Sequence, residues 1–85
     1  MKAVQVIFND MPTTHQVLAT FKLDGDKVVA DYNDQMLKDR FKNGMPVFNE
    51  DGSFNKLVTP DDGEEFLHAL FLNFSGSRTQ AIEMV

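Results

Sequence analysis

Val58 to Arg78 reads VTPDDGEEFLHALFLNFSGSR, and this stretch decides the fold. Thr59 is a good N-cap, and Pro60 suits a first helical position, where a missing N–H leaves nothing unsatisfied. Asp61, Asp62, Glu64 and Glu65 then occupy the first turns, where the positive end of a helix dipole favours acids. Phe66, Leu67, Leu70, Phe71 and Phe74 recur at three- and four-residue spacing and form one broad apolar face. The pattern predicts a helix over Pro60–Phe74, closed by Gly76. Gly63 projects onto the apolar face, so the helix start is expected to lie close to a sheet, where a side chain would clash.

Working outward, the tail from Thr79 is β-like, with Ala81, Ile82, Met84 and Val85 apolar, and is expected to pair with the first strand or a sheet edge. Upstream, Lys2 to Phe8 puts Val4, Val6 and Phe8 on one side and Ala3, Gln5 and Ile7 on the other, as in a central strand. Asn9 to His15, with Pro12, reads as a loop. Gln16 to Leu23 places Val17, Ala19, Phe21 and Leu23 on one face. The turn at Asp24-Gly25-Asp26 then leads into Lys27–Tyr32 as a hairpin. Asn33 or Asp34 can cap a short helix over Asp34–Asn43, whose Leu37 and Phe41 share a side. Met45 to Val58 admits either a small hairpin around Asp51-Gly52, with short strands at Val47-Phe48 and Lys56–Val58, or an extended connection.

These elements predict an α+β fold. A small antiparallel sheet of about four to five strands is packed by one helix in the C-terminal half, and a second, short helix lies at its edge or end. Eighty-five residues are expected to form a single domain over 1–85, since halving the chain would leave neither part enough core. Apolar residues at 42% and charged ones at 25% fit a folded chain rather than a disordered one. The absence of cysteine excludes disulfides, thiolate nucleophiles and cysteine-held zinc. No apolar run approaches a membrane span, so a cytoplasmic location without membrane contact is expected.

The net charge of −5 is concentrated. Between Glu50 and Glu65 lie Glu50, Asp51, Asp61, Asp62, Glu64 and Glu65 against one base, Lys56, and the rest of the chain is neutral. Such a patch, without basic counterpart, argues against direct nucleic-acid binding.

Site motifs are sparse. Aligning Gly52 with the glycine of a calcium loop puts valines, Val47 and Val58, where ligands belong. Glu65 and His68 have the Glu-x-x-His spacing of di-metal bundles, but it occurs once, and a surface pair of Glu64 with His68 is the plainer reading. Ser75 and Ser77 do not form a nucleophile elbow, and His15 or His68 would need a serine beside it to act as a base. "SGSR" reads as a turn rather than an anion site, and Lys38, Arg40 and Lys42, with Asp39 among them, as a solvated helix face. No catalytic, cofactor or metal residue is therefore assigned, and no cofactor is expected.

What stands out is apolar surplus: eight phenylalanines and five methionines exceed what so small a core absorbs. Contiguous exposed apolar groups often mark partner surfaces. Leu72 and His68 on the outer flank of the long helix, with Phe48 and Phe54 in the irregular segment, are the candidate partner-binding residues. The expected function is a non-enzymatic protein-interaction module, self-associating or holding another protein. The alternative is an acidic inhibitor or nucleic-acid mimic, whose six acids would fill a basic groove.

The Val58–Arg78 segment resembles the closing part of short bacterial proteins with no assigned activity. The shared features are Thr59-Pro60, Asp62-Gly63, Phe66-Leu67, Ala69-Leu70 and Phe74 to Ser77. The resemblance implies a bacterial, cytoplasmic origin and no particular substrate.

Overall fold

Strand β1 (Ala3–Met11) lies inside a four-stranded antiparallel sheet, flanked by β2 (Thr14–Asp24) and by the closing strand β6 (Thr79–Glu83). With β3 (Lys27–Tyr32) the order is β3-β2-β1-β6. The computed structural model describes residues 2–11, 14–76 and 78–84. A second sheet of two strands, β4 (Met45–Phe48) and β5 (Phe54–Val58), a short helix α1 (Gln35–Arg40) and the main helix α2 (Glu64–Asn73) complete an α+β fold.

The turn between β2 and β3 has a two-residue loop, Gly25-Asp26, flanked by the Asp24–Lys27 pair. Gly25 takes φ 65° at the first loop position, as a type II′ turn requires. Asp34 caps α1 by accepting a hydrogen bond from the Leu37 N–H (3.2 Å), and Leu37 and Phe41 are both buried. α1 packs against β3, an edge strand.

Four expectations need correction. Of the expected loop Asn9–His15, residues 9–11 and 14–15 are strand instead, since β1 runs to Met11 and β2 starts at Thr14; Pro12 and Thr13 lie outside the described residues. Cross-strand pairing of Asn9 with His15 and of Met11 with Thr14 extends the ribbon through residues whose local preference is for turns. Val17 does not share a face with Ala19. The β1–β2 register shifts between Val6 and Ile7, leaving Leu18 as the extra residue of a bulge, and Leu18 packs against the core instead. The long helix is not continuous: a 3-10 turn at Pro60–Asp62 precedes α2, and Gly63 between them sits at φ 62°, ψ −126°. The Thr59 cap, with Asp62 accepting the Thr59 N–H at 2.7 Å, therefore serves the 3-10 turn, while α2 starts without a side-chain cap. Finally, α2 is closed by Phe74 rather than by Gly76: the Phe74 N–H donates to the Leu70 carbonyl, while the expected helix end at Phe74 is met within one residue.

Gly63 meets the expectation drawn from its position. A Cβ placed there would stand 2.5 Å from the backbone oxygen of Asp26, in the β2–β3 turn. The glycine thus lets the start of α2 touch the end of the sheet.

The core lies between one face of the four-stranded sheet and both helices. Val4, Val6, Ala19, Phe21, Val28 and Ala81 meet Phe66, Leu67, Ala69 and Leu70 from α2, with Leu37 and Phe41 from the α1 segment. Met45 and Val58, paired at the open end of the β4–β5 hairpin, tie that hairpin to the same core.

Candidate functional site

The segment Met45–Val58 is a hairpin, with Gly52 at φ 87° in its turn. Asn49 N–H donates to the Ser53 carbonyl (2.8 Å), Gly52 N–H to the Asn49 carbonyl (3.0 Å), and Ser53 N–H to Asp51 Oδ1 (2.9 Å). A shift in register between Val47 and Phe48 sets Phe48 opposite Phe54. Their rings meet edge to face, centroids 6.3 Å apart at 88°, and both side chains remain more than half exposed. Two of the four predicted partner-binding residues are therefore brought into contact.

The other two lie on α2. Glu65 and Leu72 are seven residues apart, about two turns, so they share a flank of the helix. Lys56 of β5 pairs with Glu65, and Asn73 Nδ2 donates to the Pro46 carbonyl of β4 (3.1 Å), so the hairpin runs along this flank. Leu72, 72% exposed, lies on the same flank, and His68, also exposed, one turn before it. The Lys56–Glu65 pair is half in water and contributes little to stability.

The six acids fall into two groups along the chain. Glu50 and Asp51 belong to the turn of the hairpin, whereas Asp61, Asp62, Glu64 and Glu65 follow the opposite end of β5. The five residues of β5, about 16 Å of extended chain, lie between Asp51 and Asp61, and Glu65 reaches back to Lys56 in the middle of that strand. Glu65 is neutralised by Lys56, and Asp62 is engaged in the Thr59 cap.

The Ser53 side chain and backbone donors hold the Asp51 carboxyl below the usual carboxylate range. A depressed folded pKa means that this turn's contribution is present above the unfolded pKa and is lost as pH falls through the folded one. Ser53→Ala is expected to raise the Asp51 pKa towards its ordinary value, read by NMR titration of the carboxyl carbon. An unmoved titration would disprove the hydroxyl's part in the turn.

Arg40 is exposed, as expected of a solvated face, and also makes one contact that was not expected. Its guanidinium lies over the Phe74 ring, 5.1 Å from the centroid, and lines an open cleft of about 560 Å³ with Leu18, Met36, Leu37 and Phe74. No sequence signal marks this, because it depends on the bulge that turns Leu18 inward. Lys38 and Lys42 are exposed as expected. The side chain of His15 and all of Ser77 lie outside what the structure describes. Among the described residues, no group of three or more His, Cys, Asp or Glu side chains is arranged to hold a metal ion. None of the helices described is long and apolar enough to cross a membrane.

Compared with protein-family models, with curated proteins and with solved structures, the chain matches none. Its class is thus defined by its own geometry: an α+β domain with a projecting aromatic hairpin braced against its main helix.

Proposed function

We propose that this chain is a small non-enzymatic protein-interaction module that self-associates and holds its partner by apolar contact. The observation that supports this reading is the edge-to-face Phe48–Phe54 pair, with Leu72 on the adjoining flank of α2. A chain this small leaves some apolar surface in water, and isolated leucines need no explanation. Paired phenylalanines are different, because large rigid rings lose little side-chain entropy on contact and supply area suited to an interface centre. The acids favour electrostatic mimicry less, being split into two groups with part of their charge already engaged.

The test is capture from cell lysate on immobilised protein, at low and at physiological salt. A partner retained at both, and lost with the Phe54→Ser/Leu72→Ser double variant, is the expected result. Retention only at low salt would transfer binding to the acids and overturn the apolar reading, since exposed charges are screened over a Debye length of about 8 Å at physiological salt. No capture, from a protein that is itself monomeric, would overturn the module altogether.

A further inference from the structure

The cleft beside Arg40 is built from parts that meet only in the folded chain. The β2 bulge contributes Leu18, α1 contributes Met36, Leu37 and Arg40, and Phe74 comes from the end of α2. Leu37 and Phe74 are buried, whereas Met36 is 80% exposed. Met36 and Arg40 are four residues apart on α1, so they share one flank of that helix, a turn apart. At about 560 Å³ the cleft falls within the range of small-molecule sites, about 300–1,000 Å³. Its apolar wall with a few charged groups is also the usual make-up of such sites. Bulges are frequent beside binding sites, where they re-aim a side chain, and here the bulge turns Leu18 inward.

Arg40 gives the cleft its chemistry. Its guanidinium is held over the Phe74 ring, 5.1 Å from the centroid, rather than against an acid. The two acids of the α1 segment are engaged elsewhere. Asp39 accepts from the Gln35 side chain (2.9 Å), and Asp34 accepts from the Leu37 N–H (3.2 Å). Among the described residues Arg40 has no ion pair. A ring occupies the face of a guanidinium and leaves its planar N–H edge, which grips a carboxylate through two parallel hydrogen bonds.

We infer that this cleft binds a small carboxylate with an apolar body, the carboxylate gripped by Arg40 and the body laid against Leu18, Met36, Leu37 and Phe74. Charge narrows the class. Asp34 lines the same cleft, so a phosphate ester or other polyanion meets a fixed negative charge, and a single carboxylate is opposed least. The apolar wall narrows it from the other side, because only an apolar body covers Leu18 and Met36. Phe48, Phe54 and Leu72 do not line this cleft, so the site stands apart from the interaction surface proposed above.

The experiment is titration of the nitrogen-labelled full chain with hexanoate, followed by amide shifts in two-dimensional NMR, with hexanol and inorganic phosphate as controls. Saturable shifts at Leu18, Leu37 and Phe74, with a Kd at or below about 1 mM, are the expected result. Hexanol should bind roughly tenfold more weakly or worse, and so should hexanoate to Arg40→Gln, since a charge-assisted hydrogen bond is lost in each. Met36→Asp should weaken binding as well, and Phe54→Ser/Leu72→Ser should bind as wild type does. Arg40 and Met36 are both exposed, so their variants are expected to fold, which circular dichroism checks. Should Arg40→Gln unfold, hexanol and Met36→Asp carry the test. No saturable shift up to roughly 20 mM hexanoate, far above the expected Kd, would overturn the site. Shifts that map to the hairpin and vanish in its double variant would overturn it too, as would hexanol binding as tightly as hexanoate. The same shifts with inorganic phosphate would overturn the selection of a carboxylate.

Discussion

Phe21→Ala is expected to lower the stability of the fold by about 3–5 kcal/mol, the range for emptying a buried phenylalanine site. Phe21 is fully buried on β2, and its ring touches three others: Phe66 at 5.4 Å, Tyr32 at 5.6 Å and Phe41 at 6.0 Å between centroids. Those partners come from α2, from β3 and from the end of α1, so one side chain joins the sheet to both helices. Phe41 and Phe66 also meet each other at 84°, and the cavity would be walled by rings that cannot easily collapse into it. Domains of this kind have about 5–15 kcal/mol in total, so the variant is expected to sit near its folding limit. Urea unfolding followed by circular dichroism measures the loss. Phe21→Leu, which keeps most of the volume, should lose clearly less. A Phe21→Ala loss under about 1 kcal/mol would show that the ring cluster is not the centre of the core. Phe48→Ala provides the contrast: more than half of that side chain is already in water, so its removal should leave stability almost unchanged.

The difference between Phe21 and Phe48 also shows what the sequence could reveal. Features that depend on neighbours along the chain were legible. Lys27–Tyr32 after an Asp-Gly turn, Asp34 as a cap, the apolar face of α2 and the strand after Thr79 all follow from local pattern, and the structure has them. Features that depend on distant partners were not. Asn9–Met11 looks like a loop because its residues favour turns, yet it is strand because His15 and Thr14 lie opposite. Val17 and Leu18 exchange faces because β2 carries one residue more than β1 between paired positions, which no local periodicity can show.

The hairpin was ambiguous for a third reason. All of β5 is exposed except Val58, so there is no alternation to read. The same lack of burial is what leaves Phe48 and Phe54 available at its turn end. Of the candidate site, the residue types were legible and their grouping was not. Phe48 and Phe54 meet only through a register shift, and Leu72 joins the hairpin flank only because Lys56 and Pro46 hold the hairpin against α2. The acids show the converse: counted together within sixteen residues of sequence, they fall into two groups with β5 between them.

Gly63→Ala should be the most damaging single-methyl change in the chain, with a loss of roughly 3 kcal/mol or more. Two costs combine at this position. The backbone at φ 62°, ψ −126° belongs to a region that residues with a Cβ occupy only with strain, about 1–3 kcal/mol. The added Cβ would also stand 2.5 Å from the Asp26 carbonyl oxygen, an impossible contact that only backbone movement can relieve. The chain can relieve it by straightening the break into one continuous helix or by withdrawing α2 from the β2–β3 turn. Straightening would rotate Phe66 and Leu67 out of register with the sheet, and withdrawal would open the core beside Val28. Thermal unfolding is expected to fall by roughly 12–24 °C for a loss of that size in a chain of this length. Gly25→Ala separates the two causes. Gly25 has nearly the same φ, 65°, but nothing lies within 4 Å of the place its Cβ would take. Only conformational strain applies there, so its loss should be about 1–3 kcal/mol with nothing added for a clash. Equal losses at the two glycines would mean that the contact with Asp26 is not what makes Gly63 necessary. A Gly63 loss at least twice that of Gly25 would assign the excess to the closeness of helix and sheet.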